Sequence, residues 1–190
     1  MLADHGDALL VLELDTHQFF ASAGGLYERI DEATGAGQWA VVDWSRARHV
    51  DAFLDELDRE LDLLATTPAE QIDTTLLVHP ALFPDFGQFN DFLGVVDDVV
   101  AEHDLEGVIQ VAPFHPLFQF EGTEPDDITN ATNRSPYPTL HLLREDSVAR
   151  AVASEGGDAD AIVARNMDTL RRLGPQGWRE LLSAPGDTKA

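Results

Sequence analysis

The sequence predicts an α/β or α+β fold, with a single mixed or largely parallel sheet of about four strands covered by helices. Two observations support this prediction. Apolar runs of strand length alternate along the chain with longer segments whose apolar residues recur at helical spacing. The 190 residues also show no repeat and no linker, so residues 1–185 are expected to form one globular domain, with residues 186–190 as a frayed tail.

Four segments have the composition of strands. Residues 73–79 (DTTLLVH) begin with β-branched residues and continue with aliphatic ones, and residues 38–44 (QWAVVDW) combine aromatic and β-branched residues. Residues 8–14 and 108–112 are short apolar runs. If the strands are parallel, the two His-Pro steps that follow the third and fourth of them lie at one edge of the sheet, where ligands of such sheets usually bind.

Helices are expected between and after the strands. The segment 46–65 is the clearest, because Phe53, Leu57 and Leu61 recur at helical spacing among acidic residues. Ser45 is a suitable N-cap for this helix. The other predicted helices cover residues 17–30, about 83–102, about 140–153, 158–173 and 176–182.

The charge of the chain is unusual. It has 35 acidic residues against 12 basic ones, a net charge of −23, and its one lysine is Lys189. The acidic residues are spread along the predicted helices, which is typical of the solvated surface of a halophilic protein, because molar salt shortens the Debye length to about 3 Å. An acidic surface for a basic partner is the alternative. Either way, this charge disfavours binding to nucleic acid.

Composition also excludes several classes of protein. The chain has no cysteine, which excludes disulfides, thiolate metal sites and a cysteine nucleophile. Its apolar runs are far shorter than the roughly 20 residues of a membrane-spanning helix, and the N-terminal sequence MLADHGDALL lacks the basic region of a secretory signal. We therefore expect a cytoplasmic protein without membrane or nucleic-acid partners; the oligomeric state stays open.

The candidate site is a long segment, residues 107–145, which contains five of the ten prolines. Long loops in compact domains are usually functional or disordered, and the aromatic residues of this one favour order. His115 and His141 are the candidate catalytic residues, because imidazole acts as an acid or a base near neutral pH. The alternative is that both hold the loop backbone. Together with His79, they are expected to form one cluster near the carboxyl end of the sheet.

Several polar residues of this segment are candidates for ligand binding. Arg134 would clamp an anion with its guanidinium fork; the alternative is a salt bridge to Asp126 or Asp127 that locks the loop. Arg144 is expected to share a helical face with His141. The ligand-binding candidates are Arg134, Asn130, Asn133, Tyr137, Arg144 and Gln110.

A metal ion is a further hypothesis. Asp127, His79 and His115 offer oxygen and nitrogen donors, but their spacing matches no standard metal motif, and turn capping is the ordinary role of such an Asp. The chain contains no Walker loop, no GxGxxG and no nucleophile elbow. The sequence therefore identifies no cofactor.

Five motifs resemble a known family. They are TTLLVHP, FxxFNDFL, QVAPFHPLFQFEG, DDxTNxTNRSPYPTLHLLRE and ARNMDTLRRLG, within about residues 70–175. Over this span the chain resembles domain-of-unknown-function family 1415, a group of short, mostly bacterial proteins, and the resemblance implies no activity, substrate or cofactor. Members of that family typically carry a Cys-Pro-Phe motif where this chain reads LELDTHQFFASAGG. A function of that cysteine would be absent here, or would fall to His17.

Two functions are compatible with these features. The first is an intracellular enzyme that acts on a small anionic metabolite through the His, Arg, Asn and Asp groups of residues 110–145. The second is a non-catalytic module that binds a metabolite or a protein through the aromatic residues of the loop, Phe114, Phe118, Phe120 and Tyr137. Polar groups that converge in a pocket would favour the enzyme, and aromatic side chains on a flat surface would favour the module.

Overall fold

The computed structural model describes residues 9–13, 39–154 and 157–183. In chain order, the elements are β1 (Leu9–Glu13), β2 (Trp39–Trp44), α1 (Val50–Thr66), β3 (Thr74–Val78), α2 (Phe86–Glu102), β4 (Ile109–Phe114), a 3-10 helix (Ile128–Asn133), β5 (Thr139–Arg144), α3 (Glu145–Ser154) and α4 (Ala159–Ser183). The helix predicted at 17–30 and the tail predicted at 186–190 lie outside the described residues. No described helix is long and apolar enough to cross a membrane.

The strands form one mixed sheet in the order β1-β2-β3-β5-β4, which confirms the predicted α/β class. β2 and β3 are parallel, whereas each of the other neighbouring pairs is antiparallel. The sheet is therefore not largely parallel. The reason is that β5 lies between β3 and β4 and runs against both, so these two strands point in the same direction without touching each other.

Strand β5 corrects a predicted helix. The sequence predicts a helix from about residue 140, but Thr139–Arg144 is a strand, and α3 begins only at Glu145. The leucines of TLHLLR fit either a helical or an extended period over so short a run. Tertiary pairing decides for the strand, because β5 hydrogen-bonds to β3 on one side and to β4 on the other, with Leu140 opposite Leu77.

Helices α1 and α2 cover one face of the sheet. Phe53, Leu57 and Leu61 of α1 and Phe89 of α2 are fully buried, and they pack in one cluster with sheet residues that include Leu77. Burying a side chain of this size contributes about 1.5–3 kcal/mol. The apolar stripe predicted for the first of these helices is thus confirmed as a core surface.

One helix end differs from the sequence prediction, and one agrees with it. Helix α1 begins at Val50 with His49 at the cap position, while the hydroxyl of Ser45 accepts a hydrogen bond from the Ala47 N–H at 3.1 Å and so forms a separate turn. The stop predicted at Gly174-Pro175 is confirmed, because Gly174 has a non-helical φ of 66° and α4 consists of two helical segments that meet there at a kink. The proline, which lacks an N–H, interrupts the helical hydrogen bonds there.

Candidate functional site

His79 and His115 stand at the same end of the sheet, as the His-Pro pattern predicts. They follow Val78 and Phe114, the last residues of β3 and β4, which both pair with the first residue of β5. Both imidazole rings also contact the ring of Phe89, with centroid distances of 5.9 and 5.3 Å. The topology therefore brings together two histidines that lie 36 positions apart in the sequence.

His115 is fully buried and both of its ring nitrogens bind backbone. Nε2 lies 2.9 Å from the carbonyl oxygen of Phe83, and Nδ1 accepts a hydrogen bond from the Leu117 N–H at 3.0 Å. Because Nδ1 accepts, the proton of the neutral ring is on Nε2, which donates to Phe83. This arrangement matches the alternative in which the histidine holds the loop; a catalytic role for His115 stays a prediction.

His79 is buried in an aromatic cage. Its ring lies 4.4 Å from that of Phe53 and 5.3 Å from that of Phe83, centroid to centroid. Neither ring nitrogen forms a well-aligned hydrogen bond within the described part of the chain. Backbone groups of His79 and Leu82 lie close enough to raise the pKa of His79, but burial outweighs them and lowers it to about 4. The imidazole is therefore neutral at neutral pH and behaves as part of the core.

His141 does not join the other two histidines, so the predicted cluster of three is wrong. In β5, the flanking residues Leu140 and Leu142 point into the core beneath α1 and α2. Side chains alternate along a strand, so His141 points to the opposite face, where it pairs with Leu76 and Ala112. The predicted helix would have placed His141 and Arg144 on one face. In the strand that forms instead, these two side chains point to opposite faces of the sheet.

The hydroxyl of Thr74 holds the ring of His141. It donates to the carbonyl oxygen of Leu142 at 2.6 Å and lies 2.7 Å from Nε2 of His141, from which it therefore accepts. Burial lowers the pKa of His141 to about 3, so the imidazole is neutral near pH 7. The proposed acid–base role of His141 stays a prediction, and this environment disfavours it because the ring resists protonation.

Arg134 ties together the segment between β4 and β5, residues 115–138, which we call the site loop. Its Nε donates to the carbonyl oxygen of Phe118 at 3.1 Å, and its terminal nitrogen donates to that of Pro125 at 2.7 Å. The loop is thus locked through carbonyl oxygens rather than through the carboxylate of Asp126 or Asp127. An anion that binds Arg134 would have to use the guanidinium N–H groups that these two hydrogen bonds do not occupy.

Asn130 and Asn133 also bind the loop itself. Asn130 is fully buried; its amide oxygen accepts from the Phe120 N–H at 3.0 Å and the Thr123 hydroxyl at 2.9 Å, and its amide nitrogen donates to Glu124 at 2.9 Å. Asn133 donates to a carbonyl of β4 at 3.2 Å. These contacts explain why a proline-rich segment with little regular structure is ordered.

The remaining ligand-binding candidates are dispersed. Arg144 lies at the far end of β5 and donates to carbonyl oxygens of Leu64, Thr67 and Ile72, so it fastens the end of α1 to the start of β3. Gln110 lies in β4, near the same far end of the sheet. Tyr137 lies at the other end, 40% exposed. The predicted set therefore does not converge on one ligand.

Asp127 caps the 3-10 helix, the ordinary role of such a residue. Its carboxylate accepts from the Thr129 N–H at 2.9 Å and the Thr129 hydroxyl at 2.7 Å, and these bonds lower its pKa. Among the described residues, no three His, Cys, Asp or Glu side chains are placed to hold a metal ion. The metal hypothesis therefore gains no support from the geometry of Asp127, His79 and His115.

The aromatic residues of the site loop pack inward. Phe118 contacts Phe86 of α2 and Phe120, with centroid distances of 5.2 and 5.0 Å, and all three are partly buried. Leu117, which is 60% exposed, and Tyr137, which is 40% exposed, are the large apolar side chains that the described loop leaves open. A continuous aromatic surface is not formed by the described loop residues.

A second group of polar residues, which the sequence reasoning missed, lies between α1 and the sheet. Glu60 of α1 is only 7% exposed. Asp43 of β2 and Glu56 of α1 lie near enough to act on its pKa, as does Arg59, and the hydroxyl of Thr75 in β3 adjoins it. We call Asp43, Glu56, Glu60 and Thr75 the carboxyl cluster.

The carboxyl cluster contains buried polar atoms without partners. One carboxyl oxygen of Glu60, one of Glu56 and the hydroxyl of Thr75 are buried, and none forms a hydrogen bond within the described residues. Thr75 lies close enough to Glu60 to lower its pKa as a hydrogen-bonding neighbour, but the contact is not a well-aligned hydrogen bond. Buried polar groups are nearly always paired, so each exception calls for an explanation.

The same arrangement perturbs the acidity of two carboxyl groups. Burial, together with the charges of Asp43 and Glu56, raises the pKa of Glu60 to about 7, while Arg59 opposes this shift. Burial and the charge of Glu56 also raise the pKa of Asp43. Carboxyl groups that exchange protons near neutral pH are a recurrent property of active sites.

One sequence signal could have identified Glu60. It lies three residues after Leu57 and four before Leu64, on the apolar face of an otherwise regular amphipathic helix. An acidic residue in that stripe must be buried, shifted in pKa or bonded to a partner. Its neighbours Asp43 and Thr75 come from β2 and β3, so only the tertiary structure identifies them.

The fold and the site together define an α/β domain in which a mixed sheet and a covering helix enclose a cluster of carboxyl groups. A family described as "Protein of unknown function (DUF1415)" matches residues 36–180, which is most of the chain, and the chain belongs to that family. The match includes β2 through most of α4, and hence both the site loop and the carboxyl cluster. No curated protein and no solved structure matches the chain.

Proposed function

We propose that the chain is an enzyme that performs acid–base chemistry on a small metabolite, with Glu60 as the group that transfers the proton. The observation that carries this proposal is the placement of its carboxyl group, which is buried next to two other carboxyl groups and has one oxygen with no hydrogen-bond partner among the described residues. A carboxyl group with a purely structural task would normally have both oxygens hydrogen-bonded.

The acidity of Glu60 supports this role. A general acid or base works best when its pKa is near the working pH, and burial together with the neighbouring charges raises the pKa of Glu60 to about 7. Asp43 and Glu56 would keep that value high through their own negative charges. In many active sites, neighbouring carboxyl groups have different catalytic roles because their environments give them different pKa values.

The cluster also extends towards the surface. Asp43 and Glu56 are partly exposed and Arg59 is exposed, whereas Glu60 and Thr75 are buried. A ligand would therefore meet Arg59 and the two outer carboxyl groups before it reached Glu60. This arrangement, with charged groups near the solvent and a buried carboxyl group behind them, suits a site that removes its substrate from water.

The site loop plays a different part in this proposal. Its polar groups are engaged with backbone, so we assign it the task of holding β4, β5 and the start of α2 together. The anionic metabolite expected to bind Arg134 does not suit the carboxyl cluster, because three acidic groups would repel an anion. Catalysis by His115 and His141 and ligand binding by the loop stay predictions that variants can test.

The experiment is a comparison of product formation. The purified protein is incubated with pools of small amines, amino acids, amides and sugars, and new products are detected by mass spectrometry. We expect the parent and Asp55→Asn to convert the same compound, since Asp55 is an exposed acid on the same helix, and Glu60→Gln to lose at least about 100-fold in rate. Equal turnover by parent and Glu60→Gln would overturn the proposal.

The second function from the sequence, a non-catalytic module that binds through loop aromatics, rests on two exposed side chains, Leu117 and Tyr137. The inward packing of the other loop aromatics reduces the surface available to a partner. The binding module would be the better account if two results are found together. No pool yields a product, and a ligand raises the melting temperature of Glu60→Gln but not that of Leu117→Ser.

A further inference from the structure

We infer that the carboxyl cluster takes a small organic cation rich in N–H donors, such as an alkylammonium or guanidinium compound. This inference rests on the proposed function, because it names the substrate class of the same site. It combines three observations: the balance of charge around Glu60, the kind of atoms left without partners, and the absence of a metal-binding arrangement among the described residues.

The first observation is the balance of charge. Three acidic groups, Asp43 of β2 and Glu56 and Glu60 of α1, lie close enough to influence one another electrostatically, and among the described residues Arg59 is the cation that opposes them. From β3, the adjoining group is Thr75, which carries no charge. With all three acids ionised, the site would hold a net charge of −2, and a bound cation would offset part of this repulsion at short range.

The second observation concerns hydrogen bonding. Among the described residues, the buried atoms without hydrogen-bond partners include carboxyl oxygens of Glu56 and Glu60, which can only accept hydrogen bonds when ionised. The fully buried hydroxyl of Thr75 adjoins Glu60 and likewise forms no well-aligned hydrogen bond among the described residues. An ammonium or guanidinium group would satisfy several acceptors at once through charge-assisted bonds.

The third observation separates an organic cation from a metal ion. Metal ions need several donor atoms that converge at short distances, and the part of the chain that the structure describes contains no such group of His, Cys, Asp or Glu. Hydrogen bonds from N–H groups tolerate longer and less regular distances, about 2.7–3.2 Å. The carboxyl cluster therefore favours an organic cation over a metal ion.

The test uses methylguanidinium and propylammonium chlorides as probes and tetramethylammonium chloride as the matched control, which has the same charge but no N–H donor. The titration of the Glu60 carboxyl group is followed by carbon NMR of glutamate-labelled protein, and Glu60→Gln identifies its signal. We expect at least one N–H probe at saturation to lower the titration midpoint of Glu60 by about one pH unit or more, because a bound cation favours the ionised form.

The same probes are titrated into the variants. Glu60→Gln keeps the shape of the side chain and should weaken probe binding at least about tenfold, since a charge-assisted bond is lost, while Asp55→Asn should bind as the parent does. Equal shifts with tetramethylammonium, a shift caused by magnesium or calcium chloride instead, or no shift with either N–H probe would overturn the inference.

These results are separable from a failure of the proposed enzyme. If the N–H probes bind as expected but no compound is converted, the cation site stands and the catalytic role falls. If Glu60-dependent turnover is found for neutral compounds while neither probe shifts the midpoint, the enzyme stands and the cationic substrate class is wrong.

Discussion

The Nε2 atom of His115 donates a hydrogen bond to the carbonyl oxygen of Phe83, at 2.9 Å, and Phe83 has a positive φ of 51°. Such a conformation is rare for a bulky residue and is kept only where the surroundings hold it. Since Nδ1 of the same ring accepts from Leu117, His115 joins the turn before α2 to the start of the site loop.

The first prediction concerns this link. Replacing His115 with Ala should lower the free energy of unfolding by about 2–4 kcal/mol, because it leaves the Phe83 carbonyl and the Leu117 N–H without partners and removes a buried ring. His115→Gln, which can still donate to Phe83, should lose less. Urea denaturation curves measure both. An unchanged stability of His115→Ala would contradict a structural role and revive the catalytic one.

The second prediction concerns Arg134. Lysine keeps the charge but not the fork that reaches Phe118 and Pro125, so Arg134→Lys should lower the free energy of unfolding by about 1–3 kcal/mol. The matched control is Arg171→Lys on α4, where an exposed pair with Asp168 is worth little. Melting curves without ligand decide: if both variants melt like the parent, Arg134 does not hold the loop and ligand binding regains weight.

The third prediction concerns Glu60 and pH. Its pKa is raised from 4.5 to about 7 in the folded protein, so the folded state holds the proton more tightly than the unfolded state. This group therefore lowers stability progressively as the pH rises from about 4.5 to 7, by up to about 3 kcal/mol.

The variant Glu60→Gln should remove that loss. It should be more stable than the parent at pH 8 and equal to it near pH 4, as followed by urea denaturation across the range. A gain in stability combined with a loss of probe binding would identify Glu60 as a residue that serves function at the expense of stability. Reduced stability at pH 8 would show that the carboxylate is needed by the fold.

The fourth prediction concerns His79, whose pKa burial lowers from 6.5 to about 4. Here the unfolded state binds the proton more tightly, so this group destabilises the fold as the pH falls from 6.5 towards 4. The variant His79→Leu should fold, because it replaces an unpaired ring in an aromatic cage with an apolar side chain. Its stability should fall less than that of the parent between pH 7 and pH 4.5, and an identical pH profile would contradict this prediction.

The fifth prediction concerns salt. With a net charge of −23, self-repulsion should weaken the fold at low ionic strength. The melting temperature should therefore rise between about 0.1 M KCl, where the Debye length is about 10 Å, and molar concentrations, where it is about 3 Å. Sucrose at matched concentrations controls for general exclusion from the surface. A midpoint that is flat across the salt series would speak against the halophilic interpretation.

Much of the candidate site could not be predicted from the sequence, because its residues come from segments that are distant in the chain. The sequence placed His79 and His115 correctly at one end of the sheet, because each follows the end of a strand and β3 and β4 run in the same direction. It placed His141 wrongly, because TLHLLR fits both periods and the partners of β5 are distant in the chain. It also missed the proximity of Glu60 to Asp43, since no local sequence pattern indicates which strand lies under a helix.

The sequence by itself determined the class of the fold, the apolar stripe of α1, the strands on either side of it and the family. These depend on local periodicity and composition, which each segment carries alone. Only the tertiary structure decided that β5 is a strand between β3 and β4 and that Arg134, Asn130 and His115 are engaged with the loop backbone. It alone showed that buried carboxyl groups meet beneath α1, because hydrogen-bond partners, burial and pKa depend on segments that come together only when the chain folds.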